Sequence, residues 1–216
     1  MRVGAVAAAP AHEVEARRTP VSTEELKGAL ERAWTRATGA APTAGTMKAL
    51  LAQASLETGR GGAMYNFNFG GIKGHAPSGG TAHMKTKEVE DGKTVTIVDG
   101  FRAYESLDEG ADDYVRLMRG QFGKALAAAD GGLDAFAHEL KSAHYYTANE
   151  TDYAAALHAL AGEPAAARPG APAPAVEADR ERTPADRFRT AQEVMRMFDA
   201  ISVSMTRLAR EPEEDP

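Results

Sequence analysis

Between Met47 and Glu57 the apolar residues recur at helical steps. Met47, Leu50, Leu51 and Ala54 fall at i, i+3, i+4 and i+7, and Glu57 continues the same stripe. Gly59, Gly61 and Gly62 crowd the next turn and end the helix near Thr58. Thr43 or Thr46 opens it. An earlier helix begins at Ser22, where Ser22 and Glu25 have capping-box spacing, and Leu26, Ala29, Leu30, Ala33, Trp34 and Ala37 form its buried stripe. Residues 59–83 are glycine-rich and loop-like, with Asn66, Phe67, Asn68 and Phe69 in alternation. The period then changes to two. His83–Glu90 and Lys93–Phe101 alternate like strands around Asp91-Gly92, a two-residue turn signal that sets Glu88 across from Val95. Helical spacing returns behind Ser106 and Glu109, through Leu107, Ala111, Tyr114, Val115 and Met118. A short helix is expected over 124–129, another on Leu133, Phe136, Ala137 and Leu140, and a last one capped by Thr151 with Tyr153, Ala156, Leu157 and Leu160 inward.

The pattern predicts an α+β domain over residues 22–162, mostly helical with one β-hairpin. Residues 1–21 read as a disordered N-terminal arm. Residues 163–183 are Pro/Ala-rich and read as a semi-rigid linker. Residues 184–211 read as one amphipathic helix, with Phe188, Ala191, Met195, Phe198, Ile201, Met205 and Leu208 at three- and four-residue steps. A single helix cannot bury such a stripe alone, so it calls for a protein partner, the chain's own domain or a second copy of itself.

Composition narrows the classes. The formal net charge of −6 argues against nucleic acid as a partner. Cysteine is absent, which removes disulfides and thiolate metal sites. No apolar run approaches the roughly 20 residues of a membrane span. Arg2 followed by Val3–Ala9 is at the lower limit of a signal-peptide core, and Glu13 and Glu15 follow it. The stretch reads as a flexible arm, so a substrate outside the membrane would be reached without a standard signal peptide.

Glu57 stands first among the chemical candidates. An apolar surrounding and the negative end of a helix dipole both raise a carboxyl pKa, and a protonated carboxyl near neutral pH is what a general acid requires. Spacing alone also fits a solvated helix-end glutamate. Glu88 lies on a highly charged hairpin, where cross-strand ion pairs on a solvated face are the plain reading. Tyr65, Asn66, Asn68 and Phe69 supply the amides and aromatic faces that a sugar cleft uses, although Phe67 and Phe69 fit a core equally well. His138-Glu139 is followed by His144 and makes no HExxH metal motif. The Gly70–Gly74 run lacks GxxxxGK[ST], and no serine sits in a GxSxG elbow.

Four stretches in order carry a resemblance: QASLETGRG, YNFNFGGIKG, VDGFRAYESLDEGADDYVRLM, and His144-Tyr145-Tyr146-Thr147-Ala148 ahead of Tyr153-Ala154. Together they resemble the cell-wall N-acetylglucosaminidases of glycoside hydrolase family seventy-three, which includes flagellum-associated peptidoglycan hydrolases and autolysins. The resemblance implies a lysozyme-like fold with a helical lobe, a small hairpin lobe and a cleft between them. It implies hydrolysis of the β-1,4 bond after N-acetylglucosamine in peptidoglycan glycan strands, in the bacterial cell envelope or exterior, with no metal or organic cofactor. It maps the catalytic acid onto Glu57, the hairpin carboxylate onto Glu88 and the active-site tyrosine onto Tyr145, with Tyr146 the competing match and a substrate contact. Arg60 and Gly70-Gly71 depart from the family pattern, which bears on substrate contacts. A lytic transglycosylase on the same fold, and a non-catalytic cell-wall-binding or appendage-assembly module, are the alternative readings.

Overall fold

The computed structural model describes residues 10–90, 93–146 and 148–162, with residues 86–90 and 93–96 as backbone alone. The linker and amphipathic helix expected after residue 162, and the Asp91-Gly92 turn, lie outside the described residues.

Helix α1 spans Thr23–Thr38 and starts as its sequence dictates. The Ser22 Oγ accepts from the Glu25 amide at 3.2 Å while Glu25 accepts from the Ser22 amide at 2.8 Å. Helix α2 spans Ala44–Thr58, is capped by Thr43, and ends at Gly59, whose φ of 56° lets its amide turn back to the Ser55 carbonyl. Its buried residues include Met47, Leu50, Gln53, Ala54 and Leu56, which lie on more than one face. A helix buried nearly all round is a central one, and α2 packs against α1 and the later helices.

After the glycine-rich loop, strand β2 (Gly80–Glu90) pairs antiparallel with β3 (Lys93–Arg102) in the expected register, Glu88 facing Val95. The hairpin is longer at its base than the alternation predicts. Helix α3 (Leu107–Gln121) follows, then α4 (Gly123–Ala128), a 3₁₀ turn over Ala129–Gly131, α5 (Leu133–Ser142) and α6 (Glu150–Ala161). Two caps differ from expectation. Asn149 rather than Thr151 caps α6, accepting from the Thr151 amide at 2.9 Å. At α3, Glu109 accepts from the Glu105 amide and not from Ser106, so only half of the capping box forms. Among the described residues no helix is long and apolar enough to cross a membrane.

Residues 10–21 of the N-terminal arm depart from the sequence reading, and residues 1–9 lie outside the described residues. Residues His12–Val14 form strand β1, which joins the hairpin in parallel opposite Gly80–Ala82. The chain then runs along the glycine-rich loop: the Thr19 amide donates to the Met64 carbonyl at 3.0 Å and Val21 to Gly61 at 3.2 Å. Backbone groups make most of these bonds, so no hydrophobic period announces them. One core unites α1, α2 and the later helices, from Leu26 and Leu30 through Leu50, Tyr114 and Phe136 to Leu157. Buried Asp113 on α3 ties the hairpin to this core by accepting from Arg102, Tyr104 and Arg116 at 2.7–2.8 Å.

Candidate active site

Where α2 ends, its last turn meets the glycine-rich loop and the base of the hairpin. They enclose a cleft of about 250 Å³ lined by Glu57, Thr58, Met64, Tyr65, Asn68, Met84, Lys85 and Phe101, among others. A larger hollow of about 610 Å³ lies between α1 and α3. Its arginines are already engaged: Arg36 with Asp112 at 2.7 Å, Arg116 with Asp113 at 2.8 Å, and Arg119 with the Ala37 carbonyl at 2.9 Å. The smaller cleft is the one that holds Glu57.

Glu57 is half-buried at the cleft floor. Loss of hydration pushes its carboxyl up to about 7, while hydrogen bonds from Tyr145 and Gln53 pull the other way. Both bonds reach the same oxygen. Oε1 accepts from Gln53 Nε2 at 2.9 Å and from the Tyr145 hydroxyl at 3.3 Å. Gln53 Nε2 also donates to the Tyr145 oxygen at 2.7 Å, and the Tyr153 hydroxyl donates to Gln53 Oε1. Tyr145 and Tyr153 are fully buried, and burial first, then the Glu57 charge, pushes both phenols well up. Tyr114 responds to the same two causes. All three remain neutral around the acid at any ordinary pH.

Tyr145, not Tyr146, is therefore the tyrosine beneath Glu57. Its ring is fully buried and its hydroxyl donates to the glutamate. Tyr146 is also buried, stacked 3.7 Å from the Tyr153 ring, and its hydroxyl donates to the Ala137 carbonyl at 3.0 Å. It braces α5 against α6. In the loop, Tyr65 is 37% exposed and lines the cleft, as expected. Asn68 lines it too, but its amide is spent on the Ile72 and Arg102 carbonyls at 2.9 Å each. Asn66 and Phe69 lie outside the lining of this cleft. Asn66 accepts from the Arg17 amide at 2.9 Å and donates to the Glu15 carbonyl at 3.0 Å, fastening the arm. Phe69 is fully buried, 5.8 Å from the Tyr114 ring.

Glu88 is placed by its backbone on β2, opposite Val95. Gln53, which bonds both Glu57 and Tyr145, is not singled out by the sequence reading. The signal for it was present: a buried amide four residues before Glu57, on the face shared with Leu50. Among the described residues no group of three His, Cys, Asp or Glu is arranged to hold a metal ion.

Several known proteins are similar to this chain. Residues 44–164 match the glucosaminidase family, described as mannosyl-glycoprotein endo-β-N-acetylglucosaminidase. The peptidoglycan hydrolase FlgJ of Pseudomonas aeruginosa is 36% identical over 108 residues, 45% of this chain and 27% of that protein. The chain thus spans about a quarter of the length of that curated relative. The catalytic domain of the autolysin Auto from Listeria monocytogenes is similar in fold, with a TM-score of 0.50 and 24% identity over 67% of this chain and 85% of that one. A C-terminally truncated glycoside hydrolase domain of Salmonella typhimurium FlgJ matches at 26% identity and a TM-score of 0.45, covering 64% of this chain and 92% of that one. The fold is the mostly helical, lysozyme-like one expected, and with more than half of its 216 residues matched, the chain belongs to the glucosaminidase family of glycoside hydrolases.

Proposed function

We propose that the protein is a peptidoglycan hydrolase of the cell envelope that cleaves the β-1,4 bond after N-acetylglucosamine, with Glu57 as general acid. The observation that carries this reading is the Glu57 carboxyl itself. It lines a cleft, titrates near neutrality, and has both of its hydrogen bonds on one oxygen. The proton on the other oxygen passes to the glycosidic oxygen as the bond to the anomeric carbon breaks. Water then delivers its oxygen to that carbon, and Glu88 takes the water's proton from the hairpin side. Tyr145 is a positioning residue that acts through Glu57. Tyr65 offers a ring face to the sugar. The similarity to FlgJ of Pseudomonas aeruginosa supports glycan strands as substrate. The stripe over residues 184–211 docks a protein partner or a second copy of the chain.

The test is release of reducing ends from purified sacculi. Folded Glu57→Gln loses at least about 100-fold in rate, the scale of a general acid. Release near the wild-type rate by that variant ends the proposal. The same digest separates the neighbouring chemistry, because a transglycosylase leaves anhydro-sugar ends that cannot be reduced, whereas the hydrolase leaves reducible N-acetylglucosamine.

A further inference from the structure

Among the described residues Gln53 is the polar side chain of α2 that hydrogen-bonds Glu57, and it is completely buried. Its amide is fully oriented by its surroundings. The carbonyl oxygen accepts from Tyr153 of α6. The two N–H bonds go to Glu57 Oε1 at 2.9 Å and the Tyr145 oxygen at 2.7 Å. The Tyr145 hydroxyl, relieved of acting toward Gln53 as a donor, donates onward to the same Oε1 at 3.3 Å. Each donor in the cluster thus runs in one direction, from Tyr153 through Gln53 to a single oxygen of Glu57.

We infer that Gln53 is a positioning residue that fixes Oε1 of Glu57 as an acceptor and so keeps the acid proton on Oε2. This rests on the reading of Glu57 as the acid. A proton on Oε1 would point at two N–H and O–H donors, which is repulsive. Among the described residues Oε2 has no hydrogen-bond partner, so it is the oxygen left for the glycosidic bond. Reversing the Gln53 amide would invert the pattern. Its carbonyl would then accept a proton held on Oε1, buried and turned away from the cleft. Tyr153 opposes that reversal by donating to the carbonyl.

The arrangement also favours the transition state. As the proton leaves Oε2, charge gathers on the carboxylate, and the two bonds to Oε1 strengthen because their acceptor becomes ionised. The groups that surround Glu57 come from every side. Tyr114 stands on α3, Tyr145 before α6, Tyr153 on α6, and Lys85 on β2 across the cleft. The three phenols stay neutral, and among the described residues Gln53 and Tyr145 are the groups that hydrogen-bond the carboxyl, so they hold the carboxylate.

The experiment uses the full chain labelled with carbon-13 in its glutamate carboxyls, as wild type, Gln53→Met and Tyr153→Phe. Methionine keeps the length of glutamine and removes the donors. Carboxyl resonances give the Glu57 titration midpoint without substrate, with Glu57→Gln assigning the signal. The expected result is a midpoint raised by about one unit or more in Gln53→Met, a tenfold change in proton affinity, and a smaller rise in Tyr153→Phe. The alkaline limb of the pH profile for glycan cleavage moves by the same amount. Unchanged midpoints in the folded variants overturn the assignment, whatever happens to the rate, because loss of packing alone lowers turnover at every pH. If Gln53→Met does not fold, Tyr153→Phe decides in the same way. A midpoint that moves while the alkaline limb stays fixed confirms the hold on Oε1 and removes Glu57 from the role of acid.

Discussion

Glu57 sets a stability cost as well as a chemistry. In the folded chain its carboxyl titrates near 7, against 4.5 for the free side chain, because burial disfavours the charged form. Between those pH values the folded state holds a proton that the unfolded state has released. Stability tied to this group is therefore complete below about 4.5 and is lost as pH rises through 7. The loss is at most about 3 kcal/mol, and the partial exposure of the side chain trims it. Glu57→Gln keeps the hydrogen-bonding shape without a titratable group. Urea unfolding at pH 5 and pH 8 checks the consequence. The variant is expected to gain on the wild type between the two pH values by about 1–3 kcal/mol, and a constant difference would show that Glu57 ionises without penalty. Ion pairs elsewhere in the fold, such as His158 with Asp134 at 3.1 Å, cancel in this difference because both proteins contain them.

At the scale of elements, the cleft depends on a loop held in an uncommon backbone. Asn66 and Phe67 have φ of 44° and 52°, in the left-handed region that non-glycine residues seldom adopt. This explains why the Asn/Phe alternation misled. Two consecutive left-handed residues break the extended backbone on which alternate residues share a face, so Phe69 enters the core and Asn66 turns to the arm. The arm holds the strained pair in place, with Thr19 Oγ1 accepting from the Phe67 amide at 2.9 Å. By contrast, α1, α2 and α3 were legible because a buried stripe is written in side chains, and the hairpin register because its turn and alternation agree. From the other side, α3 presses Gly110 against the loop. Glycine to alanine within a helix ordinarily gains about 1 kcal/mol. Here an added Cβ would lie 2.0 Å from the Phe67 carbonyl oxygen, and that backbone is already pinned. The expected sign is reversed. Gly110→Ala should lose about 1–3 kcal/mol in urea unfolding, the range for overpacking, and should slow glycan release as Tyr65 shifts with its loop.

For the whole molecule, the family-matched region and the folding unit are different objects. The match covers residues 44–164, whereas the structure builds part of its core, and fastens the loop that lines its cleft, from residues before Ala44. Helix α1 contributes Leu26, Ala29, Leu30 and Ala33, all buried, and packs on α2 and α3. Its exposed ion pairs to α3, Arg32 with Asp108 at 2.9 Å and Arg36 with Asp112 at 2.7 Å, are worth less than about 1 kcal/mol each. The two leucines contribute about 1.5–3 kcal/mol apiece, and removing them also bares the apolar faces of α2 and α3 that they cover. Set against a typical total stability of about 5–15 kcal/mol, that loss is decisive. The arm adds a second dependence, since Arg17 and Thr19 hold the loop that carries Tyr65. A fragment of residues 44–164 is therefore expected to show helical circular dichroism without a cooperative urea transition and to release no reducing ends from sacculi. A fragment of residues 10–162 is expected to unfold cooperatively and to cleave. Cooperative unfolding of the shorter fragment would place the folding nucleus in α2 to α6 alone and reduce α1 and the arm to accessories.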